Sequence, residues 1–410
     1  MDALRHTGIA AALLSVVVIL LATPAGLAAA KTLVVEAGTQ ARTNVPMSVV
    51  VPDGATKAKM LDGTKEVPCQ VVDGKLCWIL DSLAAGATKT YVVDLGMASS
   101  ADAKAVEFKQ GKDAIDITID GKPFTTYVFL PGKPGGVELH RPYFYPVFGP
   151  GQTSLMRPYP LVAEVPAGVT KDHPHHTGIW VAYGEVNDVD NWSVGAKAGW
   201  QLHKAFEQVT SGPVVGVFRE TLDWTAADKK PNLAEVRTVR VWRLPDTGRI
   251  LDIEVAFQAK YGNVTFGDTK EGGIISTRMR GELQGDKNGK EGRLVNARGQ
   301  SGDPAWGKPA EWVDDSGMVD GKRVGYAVFD TPGNLRFPTP WHARTYGLLT
   351  ANPFGAACFD KTAQKGDYTL ESGKELVLRY RLYFHPGDEK EGQVAARYAD
   401  YANPPKTTWK

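Results

Sequence analysis

The chain has 410 residues, 43% hydrophobic and 23% charged, with a net charge of +1. That length and apolar fraction suffice for a large core, divided between two domains. The near-neutral balance lacks the basic footprint that nucleic-acid binding requires, and 44 glycines and 26 prolines supply the frequent turns an all-β chain needs.

Residues 1–30 read as a secretory signal peptide. Arg5 gives the positive start and residues 8–22 an apolar stretch. Residues 23–26 (TPAG) break it, and Ala28, Ala29 and Ala30 offer a small-residue cleavage site. The mature protein is expected to be periplasmic or secreted. No later stretch approaches the roughly 20 apolar residues of a spanning helix, so no membrane span is expected after signal removal.

Residues 31–98 carry short strand-like runs, 32–36, 47–51, 77–80 and 90–94, with turn signals at 52–54, 62–63, 73–74 and 85–86. That spacing predicts a small β-sandwich, without a cluster of titratable groups. Within it, residues 69–77 (CQVVDGKLC) predict a hairpin. A three-residue loop over 72–74 would set Cys69 opposite Cys77; they are bridged or are two buried thiols in neighbouring strands. The apolar context of Cys358 predicts a core position.

After a small polar linker at 97–104 the β pattern resumes. Residues 114–120 (AIDITID) alternate strictly, turn at Gly121, and return through 124–130. Long alternating runs follow at 214–224, 234–242, 250–257, 272–280, 324–330 and 376–384; helical periodicity is weak and confined to 394–401. The fold class is therefore all-β: a large antiparallel β-supersandwich over 105–400 preceded by the small sandwich.

Three constellations carry chemistry. In Asp172-His173-Pro174-His175-His176-Thr177-Gly178, three of the chain's eight histidines fall within four positions. If the backbone is extended, His173 and His175 share one side and His176 the other. Imidazole suits proton transfer near neutral pH and also metal ligation. The second is residues 266–273 (FGDTKEGG), where Asp268 and Glu271 flank Lys270 in a glycine-bounded turn. The third, residues 334–347 (NLRFPTPWHARTYG), brings Trp341, His342, Arg344 and Tyr346 together, aromatic faces beside groups that bind hydroxyls. Arg141, Tyr143, Tyr145, Arg157, Tyr159, Glu185, Asp190, Trp192, His203 and Arg278 are lesser candidates.

RPYFYPVFGPGQTSLMRPYP, DHPHHTGIWVAYGEVN, FGDTKEGG and PTPWHARTYGLLTANPFG, in this order, resemble the PmoA-family/DUF6807 proteins, exported bacterial proteins of uncharacterised function. The resemblance covers roughly 105–400. It implies a galactose mutarotase-like supersandwich, a superfold shared by sugar epimerases, polysaccharide lyases and parts of glycoside hydrolases. The membrane copper oxygenase whose subunit lends the family its label is excluded, because no transmembrane bundle follows residue 30.

The expected function is an exported carbohydrate-active enzyme, cleaving or isomerising a glycoside. An imidazole of His173, His175 or His342 and the carboxylate of Glu271 or Asp268 form its acid/base pair. Arg157, Arg278 and Arg344 bind an acidic or hydroxyl-rich sugar, Trp341 and Tyr183 form walls, and Tyr159, His176, Lys270 and Tyr346 complete the binding set. Its partner is a carbohydrate or other small molecule, and no cofactor is expected. The alternatives are a non-catalytic carbohydrate-binding envelope protein, and a metalloenzyme holding a divalent metal on His173, His175 and His342 or His203.

Overall fold

The computed structural model describes residues 30–99, 105–245, 248–285 and 291–410. The expected signal peptide over 1–30, save its last residue, and most of the linker at 97–104 lie outside the described residues.

Two large antiparallel sheets dominate. A seven-stranded sheet runs in the order Leu348–Ala351, Gly272–Arg278, Ile179–Tyr183, Tyr143–Val147, Lys122–Val128, Ala114–Ile119, Val106–Gln110. Facing it is an eight-stranded sheet: Trp200–Thr210, Val215–Thr225, Pro231–Trp242, Arg249–Gln258, Glu375–Pro386, Lys322–Phe329, Trp312–Val319, Arg293–Asn296. Period-two alternation fills the space between them. Ile115, Ile117 and Ile119 of one sheet meet Leu251, Ile253 and Val255 of the other in one core cluster, joined by Leu378, Leu382 and Phe384. Each such buried side chain contributes roughly 1.5–3 kcal/mol. The weak helical signal is the helix Val394–Ala402.

A polar network crosses this core. Arg237 donates from Nε and Nη2 to Glu235 at 2.7 and 3.0 Å, and its other contacts are the Tyr127 hydroxyl at 3.1 Å and Gln201 at 3.2 Å. Glu235 also accepts from the Trp224 indole at 2.6 Å, while Glu220 takes the Tyr127 hydroxyl and lies 2.6 Å from His203 Nδ1.

The smaller unit has a five-stranded sheet in the order Lys406–Trp409, Lys31–Glu36, Thr88–Leu95, Ala58–Asp62, Lys65–Val67, against a three-stranded sheet of Arg42–Val50, Lys75–Leu83 and Cys69–Val72. The strand Lys406–Trp409 returns from far along the chain to pair with Lys31–Glu36. A buried ion pair, Arg42 to Asp400 at 2.9 Å, ties this unit to the late helix.

The cysteine hairpin differs from expectation. Val72 pairs with Lys75, so the loop is only Asp73 and Gly74, both with positive φ (52° and 68°), as a tight two-residue hairpin turn requires. The register therefore moves by one, and Cys69 faces Trp78 while Gln70 faces Cys77. The two thiols point to opposite faces and are free. Burial pushes each up to about 12. Cys358 is exposed rather than in the core.

Candidate functional site

The site is built on the outer face of the seven-stranded sheet. In Ile179–Tyr183, alternation sends Ile179, Val181 and Tyr183 into the core between the sheets and Trp180 and Ala182 outward. Gly178 delivers the histidine loop onto this strand; its φ is +68° and a Cβ there would lie 2.2 Å from the Phe144 carbonyl oxygen. No other residue type fits.

The histidines do not lie on an extended segment. His173 has φ +45°, and the His176 N–H donates to the His173 carbonyl at 3.0 Å. Pro174 occupies the second position of this turn, which its fixed φ favours. Closing the turn stacks His173 on His176, with centroids 4.8 Å apart and planes at 7°. Tyr346 stacks on the far side of His173 at 5.5 Å, and Trp180 lies beyond His176 at 5.4 Å. A four-ring column results. His175 meets it edge-on, 4.5 Å from His176 and 5.8 Å from Trp192.

Three buried arginines support the column. Arg141 donates to the His175 carbonyl at 3.0 Å and to the carbonyls of Trp192 and Ser193. Arg157 pairs with Asp172 and donates to the His173 carbonyl at 3.0 Å. Arg278 reaches both Asp172 oxygens, at 3.2 and 3.3 Å, and covers the Tyr346 ring at 4.6 Å. Burial works against the Asp172 charge, but Arg278, His173 and Arg157 together hold its carboxyl down at about 2. Burial, with Arg141 and His173 beside it, holds His175 down to about 3, so its imidazole is neutral. Burial likewise pushes Arg141 and Arg157 down to about 10.

The other two loops arrive at Tyr346. Arg344 is 5.2 Å from its ring. Burial raises the Tyr346 hydroxyl; the charges of Arg344 and Arg278 lower it, and those of Glu271 and Asp172 raise it. One phenol thus senses charges from all three loops. His342 is buried, with Nδ1 2.8 Å from the Lys270 carbonyl, and burial holds it down to about 4. Nδ1 must donate to that carbonyl, which leaves Nε2 as an acceptor. Around this site, six buried polar atoms lack a protein partner among the described residues: Arg141 Nε, Arg157 Nε, Thr177 Oγ1, Trp180 Nε1, Trp192 Nε1 and His342 Nε2. Buried polar groups are ordinarily paired, and these six are not.

Residues 114–399 match the model of a family of unknown function, DUF6807. The chain belongs to the DUF6807 family. That match carries no PmoA name, and no curated protein matches this DUF6807 chain. Among solved structures, a galactose mutarotase related enzyme from Lactobacillus acidophilus aligns over 68% of this chain and 97% of its own, with 10% identity and a TM-score of 0.30.

Several expected site residues of this DUF6807 protein have other work. Asp268 accepts from the backbone N–H groups of Ala357 (2.8 Å), Cys358 (3.1 Å) and Gly366 (2.6 Å). Burial opposes its charge and these bonds hold its carboxyl down, so it fastens the loop 355–366 and is not an acid/base group. Trp341 lies wholly in the core, its indole donating to the Ala310 carbonyl at 2.8 Å, and is no wall of the site. Tyr183 points the same way, donating to the Gly267 carbonyl at 2.6 Å between Phe266 and Phe354. His203 belongs to the internal network with Glu220, apart from the other histidines. Lys270 and Glu271 form an exposed ion pair, and Tyr159 sits half-buried with Arg157 5.4 Å from its ring. Among the described residues, no group of three or more His, Cys, Asp or Glu side chains is arranged to hold a metal ion, and no helix is long and apolar enough to cross a membrane.

Trp180, Trp192 and Arg141 carry more of the site than their sequence signals suggested. Alternation alone separates Trp180 from Tyr183: three positions apart on a strand, they face opposite ways.

Proposed function

We propose that this DUF6807 protein is an exported carbohydrate-active enzyme that cleaves or isomerises a glycoside by proton transfer on the outer face of the seven-stranded sheet. The observation that carries this is the set of unpartnered buried polar atoms around the four-ring column. The groups of this cluster that reach solvent are the imidazoles of His173 and His175 and the phenol of Tyr346, which combine an apolar ring with polar atoms that bond sugar hydroxyls. His175 is the base by position: it is half-buried and has no side-chain hydrogen bond among the described residues. Glu271 is the carboxylate partner, since Asp268 is occupied by backbone donors. The expected export rests on the sequence of residues 1–30.

The test is a broad panel of glycosides with the purified protein. Turnover should fall roughly 10²–10⁴-fold in His175→Ala and in Glu271→Gln, with a much smaller change in ligand affinity. Binding across the panel without turnover would instead make the protein a carbohydrate-binding envelope protein. Dependence of turnover on a chelator-sensitive metal would favour the metalloenzyme alternative.

A further inference from the structure

A concavity opens beside the histidine turn, with Arg157 in its lining. It has a volume of about 710 Å³ and is lined by Tyr145, Ser154, Met156, Pro166 and Arg280. That is within the roughly 300–1,000 Å³ typical of ligand pockets, and so has room beyond a single sugar ring. Tyr145 gives it a half-buried aromatic ring and Met156 a buried apolar side chain.

Its charge is uneven. Arg280 is neutralised by Glu282, which accepts from Nε at 2.9 Å and from Nη2 at 2.5 Å. Arg157 is not matched in this way. It is 1% exposed, its carboxylate partner Asp172 is divided among Arg157, Arg278 and His173, and its Nε has no partner among the described residues. A buried cation neutralised only in part is costly unless an anion completes it.

We propose that this groove holds an anionic sugar residue, bearing a carboxylate or a sulfate ester, next to the residue on which His175 acts. The substrate is then an acidic oligosaccharide of at least two units. This rests on the carbohydrate assignment above and narrows its substrate class.

Calorimetric titration with three probes tests it: a galacturonic acid trimer, a sulfated galactose trimer and a neutral galactose trimer. At least one anionic trimer should bind about tenfold or more tighter than the neutral one, the range of a hydrogen bond to a charged group. Arg157→Gln should abolish that preference, Arg157→Lys should keep part of it, and Tyr145→Ala should weaken all three trimers while leaving the preference in place. Circular dichroism confirms that each variant is folded, and Tyr145→Ala serves if Arg157→Gln is not. Equal binding of anionic and neutral trimers, or trimer binding unaffected by Tyr145→Ala, overturns the subsite but leaves the carbohydrate assignment standing. No binding of any trimer, or of any member of the glycoside panel, overturns both.

Discussion

Two buried polar clusters lie on opposite faces of the seven-stranded sheet, and each combines histidine, arginine and carboxylate. On the inner face, Arg237, Glu235, Glu220, Tyr127, Gln201 and His203 bond to one another, and none of them has a buried side-chain atom left unpaired. On the outer face, six buried polar atoms have no protein partner among the described residues. Residue type therefore does not separate the two clusters; the pairing of their buried polar atoms does. A closed network fixes the packing of two sheets, whereas an open one leaves buried polar groups uncompensated.

That contrast can be broken by mutation. The largest effect is expected inside. Arg237→Met leaves Glu235 and Glu220 buried without their cation and should cost about 3–5 kcal/mol of stability, read by chemical denaturation, with ligand affinity of the folded protein unchanged. His175→Ala reverses the pattern: turnover falls roughly 10²–10⁴-fold, while thermal unfolding moves by less than about 2 kcal/mol. If instead it unfolds the protein with activity per folded molecule intact, His175 is structural.

Asp268 and Glu271, three positions apart, sharpen the contrast within one loop. Asp268→Ala abandons three backbone donors and should destabilise by about 1–3 kcal/mol in a urea titration, with turnover of the folded protein kept. Glu271→Gln should do the opposite.

The smallest effect is one of pH. The folded values of His175 (about 3) and His342 (about 4) lie below their ordinary 6.5. The unfolded chain therefore takes up protons in that window that the folded chain refuses. Stability should rise with pH from about 3 to 6.5 and fall on acidification through it. Asp172, held at about 2 against an ordinary 3.8, adds a contribution complete above 3.8 and lost as the pH falls toward 2. His175→Asn should flatten the slope between about pH 4 and 6.5, measured as denaturation midpoints across that range.

Much of the fold could be read from alternation, because the side-chain period of a strand is a local property. Ile115, Ile117 and Ile119 announce a buried face without reference to any partner. The site was legible where its residues are neighbours in sequence, as in 172–178. It was not where a single backbone choice decides geometry. The positive φ of His173 turns an expected alternation into a ring stack, and a two-residue loop separates Cys69 from Cys77. The roles of Asp268 and Trp341 depend on Gly366 and Ala310, 98 and 31 positions away. No local pattern encodes such pairs.

The pairing of Lys31–Glu36 with Lys406–Trp409 also sets the order of assembly. As the chain is made from its N-terminus, one edge of the early strand stays bare until residue 406 and its neighbours emerge. A bare edge is an invitation to foreign strands, and closing so long a loop is slow. The small unit thus takes an edge strand from beyond the large one in sequence, and that strand acts as a latch over Lys31–Glu36.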